Sequence, residues 1–283
     1  MTEIINSPLV SVVTPVLNGI KYLEPCLQSV LNQNYPHIEH IFVDGGSTDG
    51  TLEMLKSYQD KYPDRVRYIT GQDKNAADAW NKGWQIARGD ILGWLGADDT
   101  YEPNAITTVV EFCQLHPEAY FVYGDCNVID EIKGRVTIFK AKGGNLEQLL
   151  NGPNYVATTS SFYKREVIEQ IGLMQTEFNG YSCDLDYWMR VAKVFQMYHI
   201  EGILSNFRLH VDSTTGSKDA FQKYARINYI NSRRHGGSII SNYCIIYYSA
   251  PMIRLLQPIL GPLYPVISRR IVYPVIGWLR KIT

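Results

Sequence analysis

The 283-residue chain reads as an α/β protein: a mostly parallel sheet with helices on both faces, followed by a basic, apolar C-terminal tail. Three observations predict this. Short β-branched runs alternate with helical apolar spacing through about the first 130 residues, the rhythm of βαβ units. Turn and capping residues punctuate the runs. Finally, residues 1–219 hold all 28 acidic residues and 18 of the 27 basic ones, leaving the remainder purely cationic.

The elements follow in order. Leu9 to Thr14 (LVSVVT) is a strand, and Leu23, Leu27, Val30 and Leu31 then recur at helix spacing. His40 to Asp44 is a second strand; GGSTDGT supplies turn and capping residues for the helix carrying Leu52, Leu55 and Tyr58. Val66 to Thr70 is a third, followed by a helix around AADAWNKGWQIA with Gly89 as its expected cap. DILGWL is the fourth strand, Pro103 is expected to open the next helix, and AYFVYG is the fifth strand. Val128 to Phe139 reads as a hairpin turning at Lys133-Gly134. SSFYKREVIEQIG gives a short strand and a helix ended by Gly172. DLDYWMRVAKVF is an amphipathic helix with Leu185, Trp188, Met189, Ala192 and Phe195 on one face.

Five cysteines, Cys26, Cys113, Cys126, Cys183 and Cys244, are odd in number and form no CxxC, so neither a disulfide framework nor a structural zinc site is expected. Reduced thiols in a cytoplasmic protein fit better. The start, MTEIINSPLVSVVTP, carries no signal-peptide pattern.

Beyond Asp219 there are nine Lys or Arg and no acid. Gly236 to Ile253 is uncharged, Leu255 to Ser268 is uncharged but broken by three prolines, and Arg269-Arg270 and Arg280-Lys281 bracket IVYPVIGWL. Such a segment suits the headgroup zone of an anionic leaflet, so residues 236–283 are expected to make peripheral contact at the inner face of the cell membrane. A homo-oligomer interface or helices packed on the core would also explain it. The acidic body speaks against nucleic acid.

In open α/β sheets, ligands sit beyond the carboxyl ends of the strands. Asp44 ends the second strand and Asp98-Asp99 follow the fourth, which sends three carboxylates to one crevice. Adjacent carboxylates repel unless a cation or a polar substrate relieves them. Hard cations such as Mg²⁺ or Mn²⁺ take oxygen ligands, often one or two carboxylates plus substrate phosphates. The pair therefore suits a metal diphosphate, although capping of the helix near Pro103 is the plainer alternative.

Three segments, Val12 to Thr51, GQDKNAADAWNKGWQIARGD (71–90) and ILGWLGADDTY (91–101), together resemble family 2 glycosyltransferases of the glycosyltransferase A fold. The likeness is closest to bacterial members that build cell-surface polysaccharides such as O-antigen, and it covers roughly residues 8–215. It implies a catalytic domain over 1–219, with a nucleotide-binding half about 1–125 and an acceptor half about 126–219, and a C-terminal extension over 220–283.

The same resemblance assigns roles by position. Thr14, Pro15 and Asn18 would line the nucleotide pocket, and Asp44 would accept a hydrogen bond from the base. Asp73 with Asp78, Asn81 and Lys82 would lie along the nucleotide and donor sugar. Asp98 would face the ribose or donor, and Asp99 the metal, Mn²⁺ or Mg²⁺. Gly96 departs from relatives that carry a polar residue there. In YSCDLDYWMRV, Asp184 matches the general base of an inverting displacement, Cys183 stands where relatives often have Glu, and Asp186 is the rival. In FRLHVDSTT, His210 would meet the diphosphate or complete the metal shell; Arg208 would meet phosphate or form a surface ion pair.

Each has a structural alternative. Asp78 and Lys82 have the spacing of a helix ion pair, Asn18-Gly19 that of a turn, and Asp184 that of a helix cap. The implied activity is metal-dependent transfer from a nucleotide-diphosphate sugar donor to a lipid-linked or glycan acceptor. A non-catalytic nucleotide-sugar-binding subunit is the alternative; a dinucleotide oxidoreductase lacks its GxGxxG, since TPVLNG follows the first strand.

Overall fold

The computed structural model describes residues 7–216, 220–239 and 241–248. It opens with the expected alternation: β1 (Val10–Val16), α1 (Ile20–Leu31), β2 (Ile38–Asp44), α2 (Thr51–Lys61), β3 (Val66–Thr70), α3 (Ala76–Ile86) and β4 (Ile91–Trp94). Then come β5 (Thr100–Tyr101), α4 (Ala105–Leu115), β6 (Phe121–Asp130), β7 (Arg135–Phe139), α5 (Leu146–Asn151), a 3-10 turn (Thr158–Ser160), β8 (Ser161–Lys164) and α6 (Arg165–Ile171). A second 3-10 turn (Glu177–Gly180), α7 (Cys183–Val191), β9 (Met197–Leu209) and α8 (Ala220–Arg234) follow.

All nine strands form one sheet, ordered β3-β2-β1-β4-β8-β6-β9-β5, with β7 beside the outer half of β6. The first four strands pair in parallel, which their helical crossovers require. β8 enters antiparallel between β4 and β6, while β6 and β9 run parallel. The expected hairpin is present, with Val136 opposite Ile129.

Side chains along β1 alternate between two cores. Val12 and Val16 pack with Leu23, Leu27, Leu55, Ile106 and Val109 from α1, α2 and α4. Val13 faces the opposite way, toward Trp84, Trp188 and Met189 from α3 and α7. The apolar run before the acidic pair has a mechanical purpose. Trp94, fully buried, meets Trp80, Trp84 and Trp188 at ring-centroid distances of 5.2, 5.1 and 4.8 Å. Each such aromatic pair adds about 0.5–1.5 kcal/mol beyond area burial, so the end of β4 is fixed firmly just before Asp98-Asp99.

Several boundaries differ from expectation. Gly89 is not the cap of α3, which ends at Ile86 with Ala87 in extended backbone. Gly89 instead lets the chain pass β1, since a Cβ there would lie 2.6 Å from the Ser11 nitrogen. Pro103 lies two residues before Ala105, the first residue of α4, with Asn104 at the capping position between them. α7 stops at Val191, where the main-chain N–H groups of Val194 and Phe195 both donate to its carbonyl; Ala192 and Phe195 pack on the core from outside the helix.

The extension begins as part of the fold. On α8, Ser232 donates to the Leu150 carbonyl (2.6 Å) and Asn231 to the Ser182 carbonyl (3.1 Å). Residues 242–248 are again helical. Most of the segment expected to touch a membrane lies outside the described residues. Among those described, no helix is long and apolar enough to cross a membrane.

Candidate functional site

The loops after β1, β2 and β4 and the end of β9 meet at the carboxyl side of the parallel strands. The first two clamp each other. Asn18 takes a left-handed conformation (φ 50°), which Asn tolerates better than most residues. Its main-chain N–H donates to Ser47 Oγ (2.8 Å), and its side-chain oxygen accepts from the Thr48 N–H (2.9 Å). Asp44, fully buried, accepts from the N–H groups of Gly46 and Ser47 and from Thr70 Oγ1 (2.7 Å). Oδ1 takes only the 3.2 Å bond from Ser47. Thr14 is fully buried with its hydroxyl 2.8 Å from His40 Nε2, while Pro15 is half-buried at the end of β1.

Along α3 the polar residues pair with one another. Lys82 reaches Asp73, the carbonyl of Gln72 and, at 3.3 Å, Asp78. Asp78 also accepts from the Lys74 N–H and is held below its ordinary pKa, chiefly by that bond. Asn81 is turned away from these. It exchanges two hydrogen bonds of 2.9 Å with the main chain of Met174 and joins α3 to the segment before α7.

At the rim of β4, Asp99 is buried and its Oδ1 accepts from the Arg208 N–H (2.8 Å). Burial first, and then the charge of Asp98, push its carboxyl well above the usual range. Asp98 Oδ2 lies 3.0 Å from His210 Nε2. Arg208 braces the pair: its Nε donates to the Asp98 carbonyl (3.1 Å), its Nη1 pairs with Glu131 (2.6 Å), and its guanidinium lies over Tyr22. Tyr22 also packs against His210, with ring centroids 4.7 Å apart, and donates to Glu131 (2.8 Å).

Gly96 completes this corner. A Cβ on it would lie 2.6 Å from Asp99 Oδ2 and 2.7 Å from Asp98 Oδ1. Asp98 and Asp99 thus each turn one oxygen toward the space where a side chain is missing, and the Gly96 main chain also favours the charged form of Asp99. That donor set matches a hard divalent ion. No three His, Cys, Asp or Glu side chains among the described residues gather closely enough to hold an ion alone, so the remaining ligands would come from substrate oxygens.

The second acidic pair stands in the first turn of α7. Asp184 is half-buried and its Oδ2 accepts from Thr158 Oγ1 (2.6 Å). Thr158 heads the 3-10 turn, in which the Thr159 and Ser160 hydroxyls meet Ser205 on β9 (2.8 and 2.6 Å). Neighbouring Cys126 feels Asp99: burial drives its thiol up to about 12, and the Asp99 charge adds to that. Through Ser205, which lies opposite Cys126, the turn ties Asp184 to the β6–β9 part of the sheet.

Asp186 is differently placed. It is buried and enclosed by Arg190 (3.1 Å), His235 (2.8 Å) and Arg234 (3.9 Å). Burial opposes its ionisation, but these partners outweigh it and hold its pKa below the ordinary value.

Sequence reasoning did not single out Tyr22, Glu131 or Thr158. No motif marks them; they are found only when strands far apart in the chain are brought together.

A curled sheet with its acidic corner at the strand ends has the glycosyltransferase A fold. It matches residues 1–349 of Staphylococcus aureus TarS in complex with UDP-GlcNAc (TM-score 0.61, 14% identity, 93% of this chain and 76% of that one). It also matches a Pyrobaculum calidifontis mannosyltransferase in complex with GDP-Man and Mn²⁺ (TM-score 0.61, 15% identity, 98% and 88%). The sequence profile of glycosyl transferase family 2 fits residues 11–172, and the chain belongs to that family. A glycosyltransferase of Rickettsia typhi is 30% identical over 229 residues, 75% of this chain and 67% of that protein. Chondroitin synthase of Escherichia coli is 29% identical over 240 residues, 79% of this chain but 32% of the synthase. The chain thus spans about a third of that relative.

Proposed function

We propose that the chain is an inverting glycosyltransferase that moves a sugar from a nucleotide-diphosphate donor to a hydroxyl acceptor, a lipid-linked glycan of cell-surface polysaccharide synthesis. The observation that carries this reading is the presence of two unlike acidic sites: two carboxylate oxygens that converge beside Gly96, and a separate carboxylate, Asp184, bonded to Thr158. The nucleotide sugars bound by the two structural relatives support the choice of donor class.

In this reading Pro15, the main chain of Thr14 and the Asn18 loop bound the nucleotide, and Asp44 Oδ1 accepts from the base. Asp73, Asp78 and Lys82 flank the donor. Asp99, with Asp98 and His210 beside it, would hold Mn²⁺ or Mg²⁺. When bound, such an ion neutralises the diphosphate and makes it a better leaving group. Asp184 takes the proton of the acceptor hydroxyl as its oxygen bonds to the anomeric carbon. The bond from that carbon to the phosphate oxygen breaks with its electron pair remaining on the nucleoside diphosphate. Attack from the face opposite the leaving group inverts the anomeric centre.

Asp184 is held at Oδ2 by Thr158 and at Oδ1 by the Leu185 N–H (2.8 Å), and the residue stays half-exposed for the acceptor. Asp186 cannot serve as base without breaking its contacts with Arg190 and His235. The test is a panel of nucleotide sugars offered to the purified chain with Mn²⁺ or Mg²⁺ and short glycan or lipid-linked acceptors, following nucleoside diphosphate release. Metal-dependent release with at least one donor is expected. Silence across the panel, with nucleotide binding intact, would favour a non-catalytic binding subunit.

A further inference from the structure

The rim of the crevice has an apolar collar. Ile132, Val136 and Ile138 on the β6–β7 hairpin and Val211 just beyond β9 are 49, 64, 52 and 66% exposed. They are neighbours by construction, because β6 and β9 end side by side with Asp130 opposite Leu209, and the Glu131 N–H donates to the Leu209 carbonyl (2.9 Å). Gathered exposed aliphatic side chains of this kind mark a contact surface rather than ordinary surface scatter. The collar adjoins the acidic corner, since Glu131 bonds both Arg208 and Tyr22.

The charge on the hairpin says what it meets. Residues 132–146 contain Lys133, Arg135, Lys140 and Lys142 and no acid, within a 1–219 segment that is otherwise strongly acidic. Lys133 and Arg135 reach Asp130 only at 3.4 and 3.7 Å and remain 60 and 59% exposed. The whole of residues 131–138 is exposed, so both the aliphatic and the cationic side chains of β7 are open to a partner. A second copy paired along β7 would bring these cations against their own equivalents, the arrangement by which edge strands resist self-association. An anionic surface with an apolar interior matches both features.

We propose that the β6–β7 hairpin, with Val211, docks on an anionic lipid leaflet, Ile132, Val136 and Ile138 entering the headgroup boundary while Lys133, Arg135, Lys140 and Lys142 face the phosphates. With the hairpin docked this way, the leaflet would lie beside the Asp98-Asp99 corner, which Arg208 joins to Glu131 on the hairpin. The binding surface stands independently of the catalytic assignment; its use in presenting a lipid-linked acceptor rests on that reading.

The full chain is sedimented with phosphatidylcholine vesicles, with and without phosphatidylglycerol. The wild type is expected to pellet with the anionic vesicles and to be released by salt. Val136→Ser/Ile138→Ser should reduce the bound fraction about fivefold or more while leaving turnover on a water-soluble acceptor intact. Because the five native cysteines are buried, Ile138→Cys accepts a polarity-sensitive dye selectively. Its emission should shift blue on anionic vesicles. An unshifted dye on a chain that nevertheless pellets would place the contact elsewhere and overturn the proposal. So would wild-type binding by the double variant, or a wild-type dimer in light scattering that the double variant abolishes. A catalytically dead Asp184→Asn that still binds vesicles through the hairpin supports the surface on its own account.

Discussion

Two buried acids sit at opposite ends of the same sheet and are treated in opposite ways. Glu39, at the amino end of β2, has both oxygens filled: Oε1 by the Ser11 hydroxyl (2.6 Å) and the Arg88 N–H (2.7 Å), Oε2 by Arg67 (2.9 Å) and Arg88 (3.0 Å). Burial alone would raise its pKa, but these four donors win and hold it below the ordinary value. Asp99, past the carboxyl end of β4, has only main-chain help, from Arg208 and Gly96, and a like charge beside it, and burial leaves it well above the ordinary range. The amino end is built for stability, while the carboxyl end stores unmet demand for positive charge, as expected of a ligand site.

Variants that exchange these properties should separate the two ends. The largest effect is expected for Asp99→Asn. Turnover should fall about 100-fold or more, yet the melting temperature of the ligand-free protein should hold or rise because the repulsion with Asp98 is gone. Glu39→Ala should do the reverse, losing about 3 kcal/mol of stability in denaturant titration with little change in nucleotide affinity.

His40 gives a third, smaller effect. It is fully buried beside Thr14, and burial, followed by nearby Arg65, lowers its pKa from 6.5 to about 3. The folded chain refuses a proton that the unfolded chain accepts below 6.5, so stability declines as pH drops through the window from 6.5 toward 3. The slope is at most about 1.4 kcal/mol per pH unit. In thermal melts across that window, His40→Gln should flatten this part of the acid limb. The smallest effect is expected at the brace behind the proposed base. Asn231→Ala removes the bond to the Ser182 carbonyl at the head of α7 and should cost about 1 kcal/mol, seen as a lower melting temperature.

The elements easiest to read from sequence were short runs rich in β-branched and aromatic residues. HIFVD and VRYIT announce β2 and β3, and the GGSTDGT turn between β2 and α2 was plain. β9 was legible only in part. MYHIEGILSNFRL mixes Glu201, Gly202 and Asn206 into a strand that is half-exposed along much of its length, which blurs its periodicity. Asp98-Asp99 stood out at the end of an apolar strand, and the resemblance marked Asp184 with Asp186 as its rival, but neither signal could distinguish the surroundings of Asp184 and Asp186. That difference depends on His235, 49 residues downstream of Asp186, and on Thr158, 26 residues upstream of Asp184. The sequence treats Gly96 as the loss of a polar contact; in three dimensions it opens the space on which two carboxylate oxygens converge.

The proposed base, Asp184, belongs to a site whose donor end would be complete without it. Asp184→Asn, compared with wild type for nucleotide affinity by calorimetry and for nucleoside diphosphate release with acceptor present, tests this most directly. Affinity should be unchanged while release drops about 10²- to 10⁴-fold. Release at the wild-type rate by this variant would contradict it.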